Sequence, residues 1–183
     1  MRQFTNTIEI NVKKDQVWDL LYNRFGEAVV YNPMVDASHT IETSGSGTGS
    51  ERKCNFDPNG KNAVCERITE TRGEESFDIE IFDGGLPMMD KMNATVKLTE
   101  LGDRTSTAFT ISYTTKPAFM GGMMKMPMKK KMMSVLVGLK YHLETGELVD
   151  KDNIKSIMRE YKSLSSTQKF APVSQELGFS PAA

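Results

Sequence analysis

Arg52, Glu66, Tyr31 and Tyr113 are the residues of this sequence whose types and spacing best suit chemistry. A hairpin brings the first two together. Asp57, Pro58, Asn59, Gly60 and Lys61 read as a type I turn with Gly60 in the left-handed position. Pairing Asp57 with Lys61 puts Cys54 opposite Val64, Phe56 opposite Asn62 and Arg52 opposite Glu66. A two-residue turn at Asn59 and Gly60 would instead put Cys54 opposite Cys65 and Arg52 opposite Arg67. Proline preorganises the second position of a type I turn, and like charges facing across a ladder repel. The first register is therefore expected, and a Cys54–Cys65 disulfide is not. Arg52 and Glu66 then share a face with Cys54, Phe56 and Val64. In an apolar chamber such a pair must bond to itself, and it could orient a polar ligand group. At a strand rim it would be an ordinary ion pair worth under about 1 kcal/mol. Were there a reaction to catalyse, Tyr113, Tyr31 and Glu66 are the first groups to suspect of acid–base work.

Other chemistries find little support. His39 and His142 are the only histidines, and neither has cysteine or carboxylate neighbours at ligand spacing, so no metal and no cofactor is expected. Nothing points to a Ser–His–acid or Cys–His arrangement. Gly45, Gly47 and Gly49 superficially suggest a phosphate loop. The Gly-Lys-Ser/Thr ending is missing and strands lie on both sides, so a strand connection is the better account. Lysine plus arginine (23) nearly balance aspartate plus glutamate (24), which gives no global pull toward nucleic acid. The first residues lack the apolar run of a signal peptide and no stretch approaches a membrane span, so a cytoplasmic protein with reduced cysteines is expected. With 183 residues, 38% of them hydrophobic, the chain suits one domain with a real core.

The elements that must position these groups are mostly short alternating strands. Phe4, Ile8, Ile10 and Val12 share one face of a first strand. Two short helices follow, over residues 15–22 and 25–30, the second ended by Asn32 and Pro33. Residues 38–42 form a further strand, and the hairpin described above comes next. Phe77, Ile79 and Ile81 line one face of a strand that ends in a loop at 84–87. Met92, Ala94, Val96 and Leu98 line another, up to a turn at Gly102 and Asp103. Phe109, Ile111 and Tyr113 line the last. Met128, Met132, Val135, Leu136, Leu139 and Leu143 then make one apolar stripe on a long helix over 127–146, with Pro127 in the first turn and Gly146 as the stop. A curved antiparallel sheet around one long helix is the expected α+β architecture. Residues 1–146 would form this domain. Residues 147–183 would be an extension with one amphipathic helix at about 151–164, capped by Asp150 or Asp152, and from Ser165 onward a tail or an arm lying on the surface.

Between Thr105 and Leu143 there is no acidic residue but six lysines, and seven of the thirteen methionines lie between Met120 and Met133. Lysines in the first turn of a helix beginning at Pro127 would oppose its macrodipole at a cost of a few tenths of a kcal/mol. Lys125, Lys129, Lys130 and Lys131 beside flexible methionine suit contact with an anionic membrane or an acidic partner. A solvated lysine face over core methionines is the plainer alternative.

The order strand, two short helices, about six strands and long helix resembles the START-like (SRPBCC) superfamily, the polyketide cyclase/dehydrase and lipid-transport group with the Bet v 1-like helix-grip fold. Val17-Trp18-Asp19-Leu20-Leu21, Pro33, Gly47 and Gly49 before Arg52, the turn at Gly60, Glu66-Arg67 and the terminal helix carry the resemblance over residues 4–146. It implies a seven-stranded antiparallel sheet gripping the helix around a hydrophobic cavity, with the Arg52 and Glu66 positions looking into that cavity. The expected wall is Arg52, Cys54, Phe56, Val64, Glu66, Phe77, Ile79, Ile81, Met92, Val96, Phe109, Ile111 and Tyr113, together with Ile8 and Ile10; Met128, Met132 and Leu136 serve as lid. Periodicity by itself fits a filled core equally well. The resemblance leaves the activity open: a binder or carrier of a hydrophobic or amphipathic small molecule, a cyclase/dehydratase-type enzyme using the same cavity, or an interaction module meeting a membrane or partner through its basic segment. A homodimer formed through the extension also stays open.

Overall fold

In the computed structural model, which describes residues 1–41, 47–84, 88–165 and 167–171, seven antiparallel strands form one sheet in the order β1-β7-β6-β5-β4-β3-β2. The strands are β1 (Arg2–Ile10), β2 (Ala37–Thr40), β3 (Glu51–Asn55), β4 (Ala63–Arg72), β5 (Ser76–Gly84), β6 (Met89–Leu101) and β7 (Arg104–Thr115). Between β1 and β2 run α1 (Lys14–Trp18), a wider helical turn (Asp19–Asn23) and a tight helical segment (Phe25–Val30). The long helix α2 (Met120–Thr145) and the shorter α3 (Ile154–Ser163) follow the sheet. Glu42, the expected connection before Gly47, the expected loop after Gly84, Ser166 and the tail from residue 172 lie outside the described residues.

The alternation that marks the strands is the alternation of their burial. Along β7, Thr105, Thr107, Phe109, Ile111, Tyr113 and Thr115 are all buried and the residues between them are not. The β3–β4 register pairs Cys54 with Val64 and Arg52 with Glu66, as the proline turn demands. Phe56 N donates to Asn62 O at 2.8 Å, and the Asp57 carboxylate accepts from the backbone N–H groups of Asn59, Lys61 and Asn62. Both cysteines are free. Strand β5 meets β4 with a register shift at Cys65/Glu66, which keeps Ile81 opposite Glu66. Gly84 is required at its end: at φ +96°, a Cβ there would lie 2.1 Å from Ala63 O.

Helix α2 corrects two expectations. It starts at Met120, not Pro127, so the proline sits two turns inside and removes one helical hydrogen bond. Anchors to the sheet outweigh that loss. The Tyr113 hydroxyl donates to Gly121 O at 2.7 Å, Asn6 Nδ2 donates to Lys129 O at 2.7 Å, and the bare Gly121 lets the first turn rest on Arg2 and Thr115. The lysines therefore lie beyond the first turn, and the expected cost against the macrodipole does not arise there. At the other end Gly146, at φ +79°, closes the helix with its N–H on His142 O.

Asp150 caps the chain entry to α3, accepting from the N–H groups of Asp152 and Asn153. Beyond α3, Phe170 is buried with its ring 5.1 Å from Tyr141, so residues 167–171 dock as an arm and do not hang as a tail. Their anchor is Glu144. Its Oε1 accepts from Lys140 Nζ at 2.6 Å and from Asn11 N and Nδ2, and its Oε2 accepts from Phe170 N at 2.9 Å.

Candidate functional site

Sheet register assembles a row of side chains across the concave face in two parts. Arg52 pairs with Glu66 and Glu66 with Ile81, while Met92 pairs with Tyr113; the β5–β6 ladder ends at Glu80 and Asn93, one residue short of joining the two parts of this row. The polar end of the row is tightly bonded. Arg52 Nε donates to Glu66 Oε2 at 2.5 Å, and Arg52 Nη1 donates to Phe25 O at 2.9 Å and Tyr31 Oη at 3.3 Å. The guanidinium also lies over the Phe25 ring, 4.0 Å from its centroid. Side-chain exposure is 9% for Arg52 and 16% for Glu66, so this is an interior ion pair and not a rim one. Burial would lower the Arg52 pKa, but Glu66 beside it more than offsets that and holds the guanidinium charged. Burial pushes Tyr31 up, against the pull of Arg52, and pushes the Cys54 thiol up to about 12. Arg52 Nη2 and Glu66 Oε1 make no hydrogen bond among the described residues, which leaves the two N–H donors of Nη2 and one carboxylate oxygen uncommitted.

The residues expected to wall the site divide in two. Cys54, Val64, Phe77, Ile79, Val96, Phe109 and Leu136 are buried in the main core with Ile8 and Ile10. Ile111 and Tyr113 are buried in a smaller cluster with Phe4, where Met92, Met128 and Met132 pack half-buried. Phe56 and Ile81 are half-buried against the main core. The closed half is filled by a group the sequence did not flag: Trp18 and Tyr22 stack on each other and stand edge-on to Phe77, 5.5 and 5.3 Å away, while Phe25 and Tyr31 cap Arg52. Tyr31 was singled out for its phenol, but no pattern connects Phe25 to Arg52. That contact follows from where the tight helical segment crosses β3. Ala94, inward between Ile79 and Ile111, was likewise passed over as a wall residue although it alternates with Met92 and Val96.

Two surface pockets lie elsewhere. One of about 320 Å³ is lined by Arg24, Phe25, Glu27, His39 and Glu51, and one of about 520 Å³ by Asp15, Trp18, Asp19, Glu74 and Leu143. Neither is lined by a strand residue of the expected wall. His142 Nδ1 is 2.8 Å from Glu147 O beside the end of α2, away from the row. Among the described residues no helix is long and apolar enough to cross a membrane.

The same architecture recurs in solved structures. The chain is similar to Ara h 8.0201, with TM-score 0.60 and 15% identity over 78% of this chain and 97% of that one. It is similar to the Zhui aromatase/cyclase from Streptomyces sp. R1128, with TM-score 0.63 and 17% identity over 78% and 93%. Norcoclaurine synthase from Thalictrum flavum matches with TM-score 0.53 and 15% identity over 66% and 73%. At these identities the likeness establishes the fold. No curated protein matches by sequence. The family model described as polyketide cyclase / dehydrase and lipid transport matches residues 1–144, nearly the whole sheet and the long helix. The chain belongs to that family.

Proposed function

We propose that the chain binds a hydrophobic or amphipathic small molecule on the open half of its concave face, between the β5–β6 end of the sheet and the inner side of α2. The observation that carries this reading is the cross-sheet row. Its inward apolar residues Ile81 and Met92 stay only partly buried, as do Met128 and Met132, which pack with Met92 on the Phe4–Ile111–Tyr113 cluster, while every inward residue of β7 is buried. Partly exposed apolar side chains on a concave face gain from a guest by about 25 cal/mol for each Å² removed from water. The uncommitted Arg52 Nη2 and Glu66 Oε1 offer that guest one polar anchor.

Holding fits the geometry better than turnover. The groups first suspected of acid–base work are engaged: Tyr113 donates to Gly121 O, Tyr31 is buried on Arg52, and Glu66 is paired. A dansylated undecanoic acid tests the reading. The wild-type protein is expected to bind one equivalent with enhanced emission, and Met92→Trp, which fills the row, to lose it with the circular dichroism spectrum unchanged. Equal emission from a well-folded Met92→Trp, or none from the wild type, would refute the assignment.

A further inference from the structure

The outer side of the same helix carries an apolar strip that the fold leaves uncovered. Phe119, Met123 and Met126 are 71, 71 and 60% exposed, and their spacing of four and three residues places them on one line along α2. Lys130 continues that line. At 100° per residue, Lys129 flanks it on one side and Lys131 on the other, while Lys125 lies round toward the side of Met132. All four lysines are exposed, and none forms an ion pair among the described residues. Arg2 lies alongside the first turn, with Nη1 3.7 Å from where a Gly122 Cβ would stand. Asp90, at this end of the sheet, is already bonded to Lys116 at 2.6 Å. Meanwhile the opposite side of the helix is occupied, with Met128 and Met132 packed toward Tyr113. The chain as a whole has a net charge of −1, so this concentration of cations is local.

We propose that this face docks on an anionic lipid bilayer, with Phe119, Met123 and Met126 entering the headgroup–acyl boundary and the lysines meeting the phosphates. Three unbranched or aromatic side chains in a row, with cations on either flank, match the lateral order of an interface, apolar at the centre and anionic at the sides. Methionine adapts to an uneven apolar surface without a fixed complementary shape, which a lipid surface does not offer and a protein partner would. Lysine stems lie along the apolar strip while their ammonium groups stay in water. Docking in this way leaves α2 between the bilayer and its Met128–Met132 side, which packs toward Tyr113. Vesicle binding needs no guest in the protein, so it stands or falls apart from the ligand reading.

The full chain is to be sedimented with vesicles of phosphatidylcholine and with vesicles of phosphatidylcholine mixed with phosphatidylglycerol. It is expected to bind the anionic vesicles alone, and to be released by salt. Met123→Glu with Met126→Glu should weaken partition at least about tenfold, and each of Lys129→Gln, Lys130→Gln and Lys131→Gln about fivefold. In Phe119→Trp, the added emission should shift to the blue on anionic vesicles. No binding to anionic vesicles, equal binding to neutral ones, or undiminished binding by the folded double-glutamate variant would overturn the proposal. Loss of vesicle binding with retained binding of the dansylated acid would separate the two sites.

Discussion

Replacing Glu66 by glutamine keeps the shape of the row but removes one of its two charges. Two unit charges about 4 Å apart attract by about 4 kcal/mol at the effective dielectric of protein sites. Glu66 is 16% exposed, so solvent screens part of this. Glutamine can still accept from Arg52 Nε, and Arg52 keeps Phe25 O, Tyr31 Oη and the Phe25 ring. A loss of about 2–3 kcal/mol remains, the cost of leaving an interior guanidinium without its counter-ion. For a chain of this length that lowers Tm by about 5–10 °C. The double variant Arg52→Met with Glu66→Leu removes both charges and should be less destabilised than Glu66→Gln, because no charge is then stranded. Urea unfolding of the wild type, Arg52→Met, Glu66→Leu and the double variant, followed through the buried Trp18, gives the four free energies of a cycle, whose coupling should be at least about 2 kcal/mol. Additive losses, or a Glu66→Gln variant within about 0.5 kcal/mol of wild type, would show that the pair sits in water-like surroundings and does not anchor the row.

Two further predictions come from other buried groups. Cys54 has its thiol pushed up to about 12 from an unfolded value of 9.0, so between those values the unfolded state binds fewer protons than the folded state. Stability is then fully present below about pH 9 and falls as pH rises toward about 12, by up to about 1.4 kcal/mol per pH unit from this group; Cys54→Val should flatten that fall when urea midpoints at about pH 8 and about pH 10 are compared. Glu144, whose side chain is 0% exposed, holds Lys140, Asn11 and the backbone of Phe170 together. Glu144→Ala should cost about 3–5 kcal/mol and speed tryptic cleavage after Lys169, and cleavage at the wild-type rate would show that residues 167–171 dock without it.

Sheet and register were legible in the sequence because both rest on local rules. Proline and glycine fix the turn at 57–61, the turn fixes which residues face each other, and Arg52 is thereby set against Glu66. The start of α2 was not legible. Pro127 read as a first-turn residue on propensity, and the hydrogen bonds that carry the helix back to Met120 come from Tyr113 and Asn6, distant in sequence. Phe170 was missed for a related reason: a single aromatic in an aperiodic stretch gives no period, and its burial depends on a carboxylate on α2. Membership of the inward row could be read from alternation. Whether an inward residue meets another side chain or open space could not, since strand alternation says which way a side chain faces and nothing about what stands opposite.

What stands opposite is decided by the covering elements, and they cover the concave face unequally. The chain between β1 and β2 turns back over β3 and β5, and there its four aromatic rings close on Arg52 and Phe77. Helix α2 lies over β1 and β7 and turns Met128 and Met132 to the Phe4–Ile111–Tyr113 cluster beside Met92, and Ile81 and Met92 stay half-buried. The two halves share one strand pattern and differ in the stiffness of their lids. An aromatic plug resists opening because moving one ring unpacks its neighbours, whereas a methionine can change rotamer at little cost. In the proposed binding mode, a guest entering past these methionines would stop at the Arg52–Glu66 pair, where the apolar lining gives way to charge.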